Sequence, residues 1–174
     1  MMKHDFISPI LVLTLICLVI SGALAFTNNV TAPIIADAAA IRETAARFEV
    51  IPDAGDFEPV YAPGFPSSIK EAYKATSGAG YTFTVNTSGY GGDLTIICSI
   101  DLEGKIIGSK VIEHSETKGL GSKITEAPFS SQFNGINSSL EGVSAISGAT
   151  ISSTAYTGAI RDAFSAFEIL LNEG

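Results

Sequence analysis

From Phe6 to Phe26 the chain is apolar almost without interruption, and nothing in the run is more polar than Ser8, Thr14 and Ser21. As a helix it would span about 30 Å, the thickness of a bilayer's hydrocarbon core. Such a run can cross a membrane. Lys3 and His4 precede it and the next basic residue is Arg42, so the positive-inside bias places the N-terminus in the cytoplasm and everything after the run outside. Ala23-Leu24-Ala25 also has the small-x-small pattern of a signal-peptide cleavage site. The run is longer than a typical signal-peptide core, which favours a retained anchor. Cys17 follows Leu15-Ile16 rather than small residues, so it reads as a packing thiol and not a lipid-attachment site.

A length of 174 residues with 46% hydrophobic content leaves room for one domain with a real core plus an appendage. The net charge is −8 and the lysines and arginines are scattered singly, so there is no basic stripe to neutralise successive phosphates of a polynucleotide. Nucleic acid is not an expected partner. Cys17 and Cys98 lie far apart, with neither disulfide-framework nor metal-ligand spacing around them, so no metal site is expected.

Thr31-Ala32-Pro33, followed by Asp37, carries the threonine, early proline and first-turn acid of a helix start, and predicts a second helix directly after the anchor. Ile34, Ala38, Ile41, Ala45 and Phe48 recur at helical spacing as its packing face. Asp37, Arg42, Glu43, Arg47 and Glu49 fill the other positions. Between Ile51 and Gly80 proline, glycine and acidic residues accumulate, which predicts irregular connecting chain with room for a short helical piece over Ile69 to Ala75.

Strand signals begin at Tyr81. Tyr81 to Thr87 alternates apolar and polar residues, Gly89-Tyr90-Gly91-Gly92 interrupts, and Leu94 to Ile100 resumes. Asp101-Leu102-Glu103-Gly104 predicts a hairpin into a strand from Lys105 to Glu113. The result is an antiparallel meander with one packed and one wetter face, and Cys98 falls in phase with Leu94, Ile96 and Ile100 as a core residue. Thr125 to Phe133 reads as a helical turn or two, and Ser138 to Ile146 has room for a short strand. A final helix follows, with Tyr156, Ile160, Ala163, Phe164, Phe167, Leu170 and Leu171 on one face. The expected fold class is α+β: a cytoplasmic tip and single transmembrane helix (1–28), a helical and irregular connecting region (29–80), and an antiparallel-sheet domain with packed helices (81–174).

Two polar stretches carry candidate chemistry. Ser147-Gly148-Ala149-Thr150-Ile151-Ser152-Ser153 opens the last helix and sets a threonine hydroxyl beside helix N-terminal amides, an arrangement suited to a phosphate group. His114-Ser115-Glu116-Thr117-Lys118-Gly119-Leu120-Gly121 places a histidine, a carboxylate and hydroxyls close together. It lacks the nucleophile, base and oxyanion set of a hydrolase, so it reads as a loop that shapes a rim. Gly89 to Gly92 lacks the lysine and spacing of a nucleotide phosphate loop.

Ser147 to Ser153 resembles the flavinylation motif of the FMN-binding domain family, in which the threonine after Gly-Ala is esterified to the phosphate of FMN. The order of Gly89 to Gly92, the Asp-x-x-Gly-Lys hairpin and His114 to Gly121 is similar to that family as well. The pattern usually has aspartate where this chain has Ser144, and often proline where it has Lys118. In size and layout the chain resembles the G subunits of Rnf-type electron-transport complexes, and next the C subunits of sodium-translocating NADH:quinone reductases. The resemblance implies a covalent FMN on Thr150, with Ser147, Gly148, Ala149, Ser152 and Ser153 around the attachment. It also implies that Glu116, Thr117, Gly119, Leu120 and Gly121, with Tyr90, wall the flavin ring.

By the same resemblance the chain is an electron-transfer subunit and not an independent enzyme. Its partners would be the other membrane subunits of an ion-translocating ferredoxin:NAD oxidoreductase complex, with a flavin transferase for maturation. With no iron–sulfur or dinucleotide fingerprint in the sequence, an organic cofactor is the available redox group. Two other readings stand beside this one. In the first the chain is a membrane-anchored module that binds a flavin or other ligand noncovalently, and in the second it is a subunit that only packs in a complex.

Overall fold

The computed structural model describes residues 4–173, so Lys3, one of the two basic residues before the apolar run, lies outside the described residues. The chain divides into two compact units at Ile41/Arg42.

In the first unit the chain is one helix. Helix α1, His4–Val50, carries a section long and apolar enough to cross a membrane. Leu11, Leu15, Leu18 and Leu24 are all exposed around it, as expected where hydrocarbon is the solvent. The helix start expected at Thr31 does not occur. The Thr27 hydroxyl donates to the Ala23 carbonyl at 2.9 Å, and the Thr31 hydroxyl donates in the same way to Thr27. Both threonines are therefore bonded back along a continuing helix instead of capping a new one. Pro33 sits inside that helix, where it removes one amide donor without ending it.

The second unit holds a five-stranded antiparallel sheet in chain order: β1 Phe57–Pro59, β2 Ile69–Ala75, β3 Tyr81–Ser88, β4 Asp93–Ile100 and β5 Ile106–His114. The meander matches expectation, and so does its hairpin. Asp101 Oδ1 accepts the amides of Glu103 and Lys105, each at 2.9 Å, and Gly104 takes φ +77° to close the turn. The helical piece expected over Ile69 to Ala75 is instead β2. Its lysine, glutamate and alanine favour helix in isolation, but Ala72 pairs with Phe83 and Lys74 with Tyr81, and that pairing outweighs local propensity.

One face of the sheet carries Phe83, Val85, Leu94, Ile96, Cys98 and Ile100, all fully buried. Helix α3, Thr150–Glu173, covers it with Tyr156, Ile160, Ala163, Phe164 and Phe167. Leu171, expected on that helix face, is 54% exposed. A 3-10 turn, Gly121–Thr125, then α2, Ala127–Ser130, and a second 3-10 turn, Ser131–Phe133, complete this core through Ile124, Phe129 and Phe133. Burial pushes the Cys98 thiol's pKa well up, in keeping with a packing role. No strand forms between Ser138 and Ile146. Leu140 turns through a left-handed backbone (φ 51°) and is buried in the same core, which breaks the extended run.

The other face is not the wetter one expected. Ile97 packs there with Ala46 and Val50, and the Thr82 and Ser99 hydroxyls, both fully buried, lie 3.1 Å apart. The side of α1 used for this packing also differs from expectation, because Ile41 is 70% exposed whereas Glu43 and Arg47 are buried. Charge pairing explains the reversal. Arg47 donates to Glu71 at 2.9 Å and stacks 3.7 Å over the Tyr73 ring, and Lys70 reaches Glu43 at 2.5 Å.

Candidate functional site

The loop after β5 and the loop before β4 are locked together by one side chain. Glu116 is buried, and its Oε1 accepts the Tyr90 amide at 2.8 Å, while its own amide donates to His114 Nδ1 at 3.2 Å. Glycines make the space for it. A Cβ on Gly89 would stand 1.9 Å from Glu116 Oε1, one on Gly121 would stand 2.3 Å from Oε2, and one on Gly91 would stand 2.2 Å from the Ser115 carbonyl. The run from Gly89 to Gly92, which invites reading as a phosphate cradle, is thus half of a slot for a carboxylate. Glu116 Oε2 has no hydrogen-bond partner among the described residues. That is a costly state for a buried polar oxygen.

The approach to α3 is built differently. Gly148 adopts φ +80°, the Ala149 amide closes a turn onto the Ile146 carbonyl at 3.0 Å, and the Ser153 hydroxyl accepts the Ile146 amide at 3.0 Å. This turn delivers Thr150 as the first residue of a 24-residue helix with no acidic residue in its first turn. The positive end of the helix dipole is therefore not compensated by its own side chains, and the first-turn amides have no acceptor within the helix. Thr150 itself is exposed.

Between the two constructions lies a cleft of about 410 Å³. Tyr90, Glu116, Thr117, Leu120 and Gly121 line it from the loops, and Gly148, Ala149, Thr150, Ile151 and Ser152 from the start of α3. It brings together most of the residues singled out in the sequence. Ser147, Ser153 and Gly119 do not line it: Ser147 is exposed, Ser153 is buried as the staple of the preceding turn, and Gly119 has open space around its α-carbon. Ile151, which the sequence reading did not single out, lines the cleft with its side chain 56% exposed. Its signal was an apolar residue in the exposed first turn of a helix. Thr150 and Ile151 also border a second cleft of about 490 Å³ whose lining includes Thr87, Ser88, Thr154 and Asp162.

The family model described as the FMN-binding domain matches residues 89–165, the span that contains both constructions. The G subunit of the Na(+)-translocating ferredoxin:NAD(+) oxidoreductase complex of Acetobacterium woodii is 33% identical, over 92% of this chain and 90% of that protein. The chain belongs to this family of FMN-binding G subunits. Other members similar to it are the G subunit of the ion-translocating oxidoreductase complex of Methanosarcina acetivorans, 32% identical over 88% of this chain and 90% of its own length, and the G subunit of the proton-translocating ferredoxin:NAD(+) oxidoreductase complex of Clostridium ljungdahlii, 26% identical over 87% and 85%.

Within the family fold the residues of the cleft fit a phosphate-bearing ring cofactor. Helix amides and an uncompensated dipole meet a hydroxyl at one end, and apolar Leu120 and Ile151 supply wall.

Proposed function

We propose that this chain is the electron-transfer subunit of an ion-translocating ferredoxin:NAD oxidoreductase complex and carries FMN joined through its phosphate to Thr150. The observation that carries this reading is the position of Thr150, an exposed hydroxyl on the first turn of α3 at the rim of the Glu116 cleft. Bound there, FMN supplies one- and two-electron chemistry that no side chain of this protein offers.

The remaining work belongs to the protein. Thr150 Oγ gives up its proton and gains a bond to phosphorus. A flavin transferase acting on a flavin phosphoanhydride would supply the anhydride P–O bond that breaks, and the other phosphate of that anhydride would leave with the bonding pair. The first-turn amides and the helix dipole hold the phosphate charge. Leu120, Ile151 and Tyr90 would cover the ring and exclude water from its face. We place the ring in this cleft because Tyr90, Leu120 and Ile151 line it, whereas the lining of the second includes Thr87, Ser88, Thr154 and Asp162.

A covalent bond suits the topology we infer, with the N-terminus cytoplasmic, the apolar section of α1 in the cell membrane and the FMN domain outside, where a dissociated cofactor is lost. The chain then acts as a relay between membrane subunits, and its relatives' names include both sodium and proton translocation. Co-expression with a flavin transferase and in-gel flavin fluorescence after denaturation test the reading. Wild type gives a fluorescent band and Thr150→Ala gives none. Equal fluorescence in both would overturn attachment at Thr150, and no band in either would favour a noncovalent binding module.

A further inference from the structure

Helix α1 carries an apolar face that its own sheet does not use. Thr31, Ile34, Ala38, Ile41, Ala45 and Phe48 follow the alternating spacing of three and four that makes a coiled-coil seam. The sheet packs on the opposite positions, and Glu43, Ala46, Arg47 and Val50 are buried there. Along the seam Ile34 is 61% exposed, and Phe48, touched edge-on by Phe57 at 5.1 Å, is still 41% exposed. Val30 and Ile35, which flank the seam, are exposed as well. Ile41 stands about 22 Å along the helix from Phe26, where the continuous apolar run ends, so hydrocarbon does not account for its exposure. A helical stretch that holds Pro33 and shows such a face to water draws its stability from packing against another helix.

We infer that this face binds a second copy of the chain, as a parallel, in-register coiled coil. Topology and charge identify the occupant. Two copies anchored by the same apolar section enter one membrane in the same sense, so their helices run parallel with equal residues at equal heights. In a parallel two-stranded coil, a residue flanking one side of the seam faces the residue five positions further on in the other strand. That rule sets Val30 against Ile35 of the second copy, and Asp37 against Arg42 of the second copy. Two-fold symmetry makes each pairing twice. Asp37 and Arg42 are both exposed. Apolar side chains meet apolar ones and an acid meets a base, a match within one sequence that a helix of another protein gives no reason for. The small layers at Thr31, Ala38 and Ala45 let the helices approach closely, and the large ones at Ile34, Ile41 and Phe48 fill the seam.

The inference stands on α1 and is independent of what Thr150 carries. The test is disulfide trapping of the full chain in its membrane, in a Cys17→Ser background, Cys98 being buried. Single cysteines replace Ile34, Ile41 or, on the opposite side of the helix, exposed Ala36. Mild oxidation should trap Ile34→Cys and Ile41→Cys as dimers of this chain and leave Ala36→Cys monomeric.

Charge reversal supplies a second readout. Asp37→Arg or Arg42→Asp sets like charges face to face and should weaken the dimer about fivefold, measured by sedimentation of the detergent-solubilised chain. The two reversals together should restore it. Absence of trapping, equal trapping at all three positions, trapping to another protein only, or reversals whose losses add instead of cancelling would each overturn the inference.

Discussion

Two regions of this protein bury carboxylates, and they treat them in opposite ways. Where β2 meets the end of α1, Glu43 and Glu71 are met by Lys70 and Arg47, and Arg47 is also stacked on Tyr73. At the cleft, Glu116 is buried as deeply as Glu43, yet no cation pairs with it among the described residues and one of its oxygens is unpartnered. In the first arrangement each carboxylate meets a cation, although Arg47 Nε is buried without a hydrogen-bond partner. In the second the carboxylate is held by a backbone amide and by close-packed glycines, at the edge of the cleft.

The largest effect should come from breaking the first arrangement. Arg47→Ala strips the cation from between Glu43 and Glu71 and should cost about 3 kcal/mol, read by urea unfolding of the full chain in detergent. Flavin attachment to the folded fraction should be retained. At the second, Gly91→Ala drives a methyl into the Ser115 carbonyl and should cost about 2 kcal/mol. Gly121→Ala meets the Glu116 carboxylate and the Ser152 hydroxyl and should displace Glu116. Its main effect on the proposed function should be a weaker fluorescent band after co-expression with the flavin transferase. Glu43→Gln should lower stability by about 1–2 kcal/mol through the loss of a charged hydrogen bond, read by the same urea unfolding.

The smallest effect is in pH. Lys70 is held above the ordinary lysine range by its hydrogen bond to Glu43, against the opposing pull of burial. Tyr73 is raised by burial and by its bond to Glu71. Both groups keep their protons longer folded than unfolded, so their stabilisation is complete below the unfolded values near pH 10 and is lost as pH rises through the folded ones. Unfolding midpoints should therefore be level in this contribution through neutral pH and fall above about pH 10, less steeply in Lys70→Gln.

The same contrast separates what is legible in the chain from what is not. The strands from Tyr81 onward and α3 are legible because period two and period 3.6 match burial against a single apolar core. β2 is not, because Lys70, Glu71 and Lys74 look like a helix until partners on β3 and α1 are in place. The buried side of α1 escapes for the same reason, since local patterning counts Glu43 and Arg47 as solvated when ion pairs bury them. At the cleft, the stretch from Ser147 to Ser153 and the Glu116 loop are visible through resemblance. That Gly89 and Gly121 exist to seat the Glu116 carboxylate follows only from their distances across two loops. Ser153 shows the limit of motif reading, because it sits in the motif but acts by holding the preceding turn.

The function proposed for this chain stands or falls on what Thr150 carries. The most direct measurement is peptide mass spectrometry of the chain matured with a flavin transferase, on the tryptic peptide Ile124–Arg161. The expected result is a mass increase of one FMN less one water, with fragment ions placing it on Thr150. An unmodified peptide, or the same increase on Ser147, Ser152 or Thr154, would contradict it.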